Sequence, residues 1–315
     1  MELKHKIMNN KNLLQTITTL SSLIILCIFF GITTKVFFTA DNLLTVALQI
    51  AIIAILALGE TFVIISGGID LSVSSVIGLS GVICSLLMTS GVSIGVALLL
   101  TIVLGLVIGF INGFITVKGN IPPFITTLGM MSIARGLALI ITNGIPISNL
   151  PKSFEFIGSG KIVGIPVPVI VMFLLAIIFG IILAKTPLGR YTYAIGSNLE
   201  AAKLAGIDTN KYQIIIYSLS GMLASIAGII FAARVISGQP TAGIGYELDA
   251  IASVVIGGAS MMGGEGTIVG TIIGAFIMGV LKNGLNLLNV SAFWQQVVIG
   301  VVIIGAVYLD RIRRK

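Results

Sequence analysis

Charge is scarce in this chain. Asp, Glu, Lys and Arg make up 9% of its 315 residues, against 57% hydrophobic. A soluble domain carries roughly 25% charged residues. So little polar surface cannot face water, and lipid must be the solvent for most of the chain. Histidine is rarer still, with His5 the only one. Its place near the start excludes histidine-based acid–base chemistry and histidine-ligated metal sites. The two cysteines, Cys27 and Cys84, both fall inside apolar runs. A free thiol there acts as a small hydrophobe and says nothing about redox compartment. No nucleophile, base or metal cluster of an enzyme is apparent. Nor does a relay of carboxylates cross the apolar runs, as an ion-coupled carrier would need.

What the chain has in quantity is apolar length. Runs appear near 13–33, 43–66, 73–89, 92–117, 123–142, 166–184, 212–233, 248–262, 267–288 and 293–309. They predict an all-α integral membrane protein of about ten transmembrane helices, forming a single domain over 1–315. The eighth run is short. The Gly-rich segments at Gly67–Gly68 and Gly257–Gly264 predict broken or re-entrant helices. The first run follows Lys4, Lys6 and Lys11 but is too long for a signal-peptide core. No small-residue cleavage site follows it, so an uncleaved first span is expected.

The net charge of +7 is explained by topology rather than by nucleic acid. Ten crossings put both termini on one side. That side holds Lys4, Lys6, Lys11, Lys118, Lys185, Arg190, Lys203, Lys211, Arg311, Arg313, Arg314 and Lys315, twelve of the eighteen basic residues. Lys35, Lys152, Lys161, Arg234 and Lys282 fall at or near the other side, and Arg135 within a span. The bias predicts cytoplasmic termini and a cytoplasmic stretch about 185–211. The stretch from Asn143 to Pro166, broken by Pro146, Pro151 and Pro166, is predicted to be external. It contains Gly158-Ser159-Gly160-Lys161, which resembles a fragment of a phosphate loop. Glu155 stands where the first glycine belongs and Ile162 replaces the Ser/Thr, so ATP binding by this chain is not expected.

Small residues recur at helical spacing in Gly105-Gly109-Gly113 and in Gly270–Gly274, which predicts close helix packing within the chain more than a dimer face. Val63–Gly68 recurs loosely as Ser253–Gly258. Either an internal repeat or shared composition accounts for it. Charges inside apolar runs need partners. Glu60 lies late in the second run, and Asp70 and Ser72 in the Gly-rich segment after it. Glu247 and Asp249 precede the eighth run. Asp70 suits a cap for the following helix. The functional reading puts Glu60, Asp70, Ser72 and Arg135 on a translocation pathway or gate. Arg135 then needs a carboxylate or carbonyl, with Asp70, Glu60 and Glu265 the candidate carboxylates.

The stretch 185–211 is the largest polar interruption. Thr186-Pro187-Leu188-Gly189-Arg190 ends a span. Asn198 can then cap a short helix rich in alanine, and Gly206 can end it, with positive φ. The helix is too short and polar to span, and its small residues would seat in a partner's groove. An ordinary loop helix is the other reading.

Glu200-Ala201-Ala202-Lys203-Leu204-Ala205-Gly206 resembles the EAA-x-x-x-G coupling-helix signature of bacterial ABC-importer membrane subunits. Ile69-Asp70-Leu71-Ser72-Val73, Thr186-Pro187-Leu188-Gly189-Arg190-Tyr191, and the run from Gln239 to Ala252 are similar to sugar-importer permeases. That last run, with Asn283-Gly284-Leu285-Asn286-Leu287-Leu288, is most similar to the ribose importers among them. The resemblance implies a type II ABC-importer-like fold in a bacterial plasma (inner) membrane. It implies a second permease copy, a cytoplasmic ATP-binding subunit and an extracytoplasmic sugar-binding protein as partners. ATP and Mg would sit on the ATP-binding partner, with no cofactor in this chain. Asn198, Glu200, Ala201, Ala202, Gly206, Ile207 and Asp208 would form the coupling helix. The cargo would be a monosaccharide, ribose first. Another pentose or hexose, an autoinducer or a branched-chain amino acid stays open. An ion-coupled secondary carrier and a passive channel are the readings of a different class.

Overall fold

The computed structural model describes the backbone of residues 2–313 and the side chains of residues 16–308. His5, Lys4, Lys6, Lys11 and the basic residues from Arg311 onward have side chains outside the described residues. Among the described residues the regular structure is helical apart from one short hairpin and an isolated bridge between Ile147 and Gly238. Five helices occupy the first half: α1 (Glu2–Thr33), α2 (Ala40–Ile65), α3 (Val73–Thr89), α4 (Ile94–Gly119) and α5 (Pro123–Thr142). The short α6 (Glu155–Ser159) and the hairpin of β1 (Lys161–Ile162) and β2 (Ile165–Pro166) follow. Then come α7 (Val167–Lys185), α8 (Pro187–Ser197), α9 (Leu199–Leu204), α10 (Thr209–Val235), α11 (Tyr246–Ile256), α12 (Ile268–Leu287) and α13 (Ala292–Arg313).

Among the described residues, seven helices are long and apolar enough to cross a membrane: α1, α2, α4, α5, α7, α10 and α12. With α3, α11 and α13 they correspond to the ten apolar runs. The exposed surface is as apolar as the interior. Leu99, Val103 and Val107 on α4, and Leu174, Ile177 and Ile181 on α7, all point outward. This is the arrangement that lipid requires, since backbone polar groups are satisfied inside each helix and side chains face hydrocarbon.

The core is built on α2, which is buried from Ile50 to Ile65. A helix apolar all round belongs at the centre of a bundle. Against it lies α10. The ladder Gly105, Gly109 and Gly113 faces α10, where a Cβ on Gly109 would meet the Tyr217 carbonyl and, at 2.8 Å, the Ser218 Cα. The small-residue ladder thus packs helices within the chain, as its spacing predicts.

The eighth run is not a full helix. α11 has 11 residues, about 16 Å at 1.5 Å per residue, half the thickness of a hydrocarbon core. The other half is a succession of turns, with Ala242 N–H to Gln239 O and Tyr246 N–H to Gly243 O. Gly238 lies against Ser85 of α3, and Gly243 lies farther along the same helix, against Ile77 and the Ser74 carbonyl. The segment 238–243 therefore descends beside α3 into the bundle before α11 begins. Non-helical backbone at such depth is tolerated only when protein satisfies its polar groups.

The loose repeat of Val63–Gly68 and Ser253–Gly258 has a structural counterpart, one residue out of register. α2 ends with Gly67 N–H to Ile64 O and Gly68 N–H to Val63 O. α11 ends with Gly258 N–H to Val255 O and Ala259 N–H to Val254 O. Both are Schellman endings with a positive-φ glycine, Gly67 at 85° and Gly258 at 98°. The shared feature is thus a helix stop, with Gly67 equivalent to Gly258.

Candidate functional site

The two helices after α7 turn the chain across one end of the bundle. Thr186 caps α8, accepting from Gly189 N–H. The Tyr191 ring meets Tyr212 of α10 edge-on at 4.6 Å. The Tyr193 hydroxyl donates to the Gly266 carbonyl at 2.7 Å. Burial pushes that phenol up to about 12, so it remains a donor at neutral pH. Gly196 packs on the last carbonyl of α2, at Ile65, and on Gly264, whose N–H donates to that same carbonyl at 2.8 Å. Any Cβ at Gly196 would strike backbone. The end of α2, the Gly-rich loop 257–267 and α8 are thereby locked together beside α9.

α9 has well-defined ends. Asn198 accepts from Ala201 N–H at 2.9 Å, an N-cap on the third helical residue. Gly206 N–H donates to Lys203 O and Ile207 N–H to Ala202 O, another Schellman ending, with Gly206 at φ +81°. Asp208 caps the next helix, accepting from Lys211 N–H at 3.0 Å. Ala202 is buried and Ile207 half-buried, so these two fix α9 to its own chain. Glu200, Ala201, Lys203 and Leu204 face outward, Leu204 being 90% exposed. Lys203 and Glu200 form an exposed ion pair at 2.9 Å, of the kind worth well under about 1 kcal/mol. Sequence reasoning passed over Leu204. Its signal was a large apolar residue at the tip of an otherwise polar, alanine-rich helix.

Inside the bundle, Glu60, Asp70 and Ser72 come together and Arg135 does not join them. Glu60 Oε1 accepts Asp70 N–H at 3.0 Å, pinning the loop after α2 to α2 itself. Asp70 Oδ1 accepts from Ser72 N–H at 3.0 Å and from Ser72 Oγ at 2.6 Å, while Oδ2 accepts from Ser220 Oγ at 2.9 Å. Asn112 Nδ2 donates to Ser72 Oγ at 2.8 Å. Asp70 is therefore not the N-cap of α3. That position is Ser72, without a side-chain cap bond. Asp70 ties the turn before α3 to α10, a contact between residues 150 positions apart that no local pattern announces.

Arg135 is bound by carbonyls. Its Nη1 donates to Pro240 O at 2.5 Å and Ala242 O at 2.8 Å, and Nη2 to Ser74 O at 3.4 Å. The candidate carboxylates Asp70, Glu60 and Glu265 are not its hydrogen-bond partners. Its role in the fold follows directly. The non-helical segment 238–243 carries carbonyls into the bundle, and one guanidinium supplies donors to two of them. A second buried charge, Asp249, pairs with Lys282 of α12. Among the described residues, no group of three or more His, Cys, Asp or Glu is placed to hold a metal ion.

Comparison with known proteins agrees with this architecture. The family described as branched-chain amino acid transport system / permease component matches residues 42–307. The chain is 50% identical to the ribose import permease protein RbsC of Bacillus subtilis (strain 168) over 291 residues, 92% of this chain and 90% of the relative. It is 46% identical to the protein of the same name in Escherichia coli (strain K12), over 87% of each chain. It is 43% identical to the L-arabinose transport system permease protein AraH of Escherichia coli (strain K12), over 89% of this chain and 85% of the relative. No solved structure matches. Family match and full-length relatives together show that this multi-pass helical chain belongs to the branched-chain amino acid transport system permease family, a family of ABC-transporter permease subunits.

Proposed function

We propose that this chain is the membrane-spanning permease of an ATP-driven importer that moves ribose into the cytoplasm. The identity to ribose import permeases over nearly the whole length supports the cargo. The construction of α9 supports the mechanism. A six-residue helix with a side-chain cap at one end and a Schellman stop at the other is a rigid lever. Its exposed Glu200, Ala201, Lys203 and Leu204 would seat in a cytoplasmic ATP-binding subunit. The buried Ala202 and half-buried Ile207 would pass its displacement to the bundle. Gly196, two residues before Asn198, touches both the end of α2 and Gly264, so a push on α9 reaches the central helix within one contact. One rigid element thereby biases a two-state bundle.

In this reading the chain performs no catalysis. ATP and Mg belong to the partner, a second permease copy completes the pathway, and an extracytoplasmic sugar-binding protein delivers cargo. The membrane is the bacterial plasma membrane, with both termini cytoplasmic. The test is reconstitution of the whole complex in vesicles with labelled ribose, arabinose and allose. ATP-dependent accumulation of ribose, abolished when the ATP-binding subunit is omitted, is the expected result. Accumulation driven by an ion gradient without ATP would establish a secondary carrier instead.

A further inference from the structure

A cleft of about 400 Å³ opens between α2, α10, α11, α12 and α13. It lies at the end of the bundle remote from α9. α10 and α12 reach it with their closing turns, and α2 and α13 with their opening halves. Its polar lining is Gln49, Arg234, Tyr246, Lys282, Asn286 and Gln295. Polar side chains inside a membrane bundle are costly and face protein or water rather than lipid. Here five half-buried polar side chains and the exposed Asn286, from all five helices, converge on one space. Its size falls within the range of small-molecule sites, roughly 300–1,000 Å³.

The lining is held in place. Lys282 is fixed by its ion pair with the buried Asp249, which also balances its charge. Gln295 donates to the Val290 carbonyl at 2.9 Å and to Asn286 Oδ1 at 3.4 Å. The Phe231 ring forms part of the wall and meets Tyr246 edge-on at 6.4 Å. Amide groups donate to and accept from hydroxyls, a guanidinium donates to them, and an aromatic wall suits the C–H face of a sugar ring. These groups match a small neutral polyol. An apolar cargo would leave them unpaired, at a cost in binding.

We propose that this cleft is a transit site for a monosaccharide, entered from the end opposite α9, at which Gln49, Arg234, Asn286 and Gln295 receive the sugar's hydroxyls. The proposal rests on the sugar-import reading above. α11 joins the site to the coupling end. Tyr246, its first residue, lines the cleft. Past its last turn, Gly263 packs on Gly196 beside α9. A displacement at α9 can therefore reshape the cleft through one short helix.

The test uses the complete reconstituted complex, with the permease carrying Gln49→Leu or Asn286→Leu, and reads labelled ribose moved per ATP hydrolysed. The ratio is expected to fall at least about tenfold, the equivalent of one lost hydrogen bond to the cargo at about 1.4 kcal/mol per decade. A wild-type ratio in both variants overturns the transit site and leaves the sugar-import reading standing. Failure of the unsubstituted complex to move ribose, arabinose or allose overturns the import reading and the transit site with it. Should a leucine variant fail to assemble, Gln49→Asn and Asn286→Ala serve for the same ratio.

Discussion

Arg135 shows what a single charge does in this bundle. A lone arginine in an apolar run invites a carboxylate partner, yet its hydrogen bonds go to the Pro240, Ala242 and Ser74 carbonyls. A buried carbonyl left without a donor costs about 1–3 kcal/mol. Arg135→Met removes the donor to at least two. Thermal unfolding in detergent should therefore begin markedly lower for this variant. Arg135→Lys should recover only part of the loss, because one ammonium cannot reproduce the planar fork. An unshifted midpoint for the methionine variant would mean that other donors hold the segment 238–243. Gly109 gives the opposite kind of test, one of space. Gly109→Val forces a branched side chain into α10 backbone, and overpacking of this sort costs about 1–3 kcal/mol. A lower unfolding midpoint is expected, and its absence would deny that α4 and α10 need contact at this point. Glu60 and Asp70 were recognised in the sequence as charges needing an explanation. Ser72 was placed with them, but the grouping with Asn112 and Ser220 was not legible, since three separate helices and a loop supply it.

At the scale of the element, α9 was the most readable part of the chain. Its Asn cap, its alanines and its terminal glycine are local signals, and local hydrogen bonds satisfy them. Its orientation was not readable, because burial of Ala202 and exposure of Leu204 depend on where α8 and α10 stand. Three substitutions separate its stability from its docking. Asn198→Ala removes the cap bond and should weaken the helix by about 1 kcal/mol, with a partial fall in ribose uptake. Gly206→Val places a β-branched residue at φ +81°, a strain of about 1 kcal/mol or more, and should abolish uptake and stimulated ATPase together while the protein still reaches the membrane. Glu200→Lys leaves the fold intact and reverses a charge on the exposed face. It should raise the concentration of ATP-binding subunit needed for half-maximal activity. Normal uptake by all three at matched expression would reduce α9 to a connecting loop. The broken eighth span was legible only as a shortage of residues. That the missing half is a run of turns laid along α3 follows from Arg135 and from the glycines that admit it.

For the whole molecule, the proposed orientation is open to direct labelling. In a chain with Cys27 and Cys84 replaced, a cysteine at position 155 should react with an impermeant thiol reagent in intact cells, and one at position 200 should react only after permeabilisation. The reverse pattern would invert the molecule and place α9 outside. Much of this protein follows from composition alone. With 9% charged residues, no fold other than a lipid-embedded one can satisfy its side chains; backbone hydrogen bonding in lipid then allows helices or a closed barrel, and apolar runs of about 20 residues select helices. Helix ends were equally accessible, because caps and positive-φ glycines act within a few residues of chain. Tertiary structure alone decided which apolar helix is central, which charges meet, and where polar side chains leave a cleft. α2 and α7 read alike as apolar runs, yet α2 is enclosed and α7 faces lipid along much of its length. In water, burial can be inferred from hydrophobicity. In lipid, the inside and the outside of the bundle are equally apolar, so hydrophobicity no longer distinguishes them and only packing does.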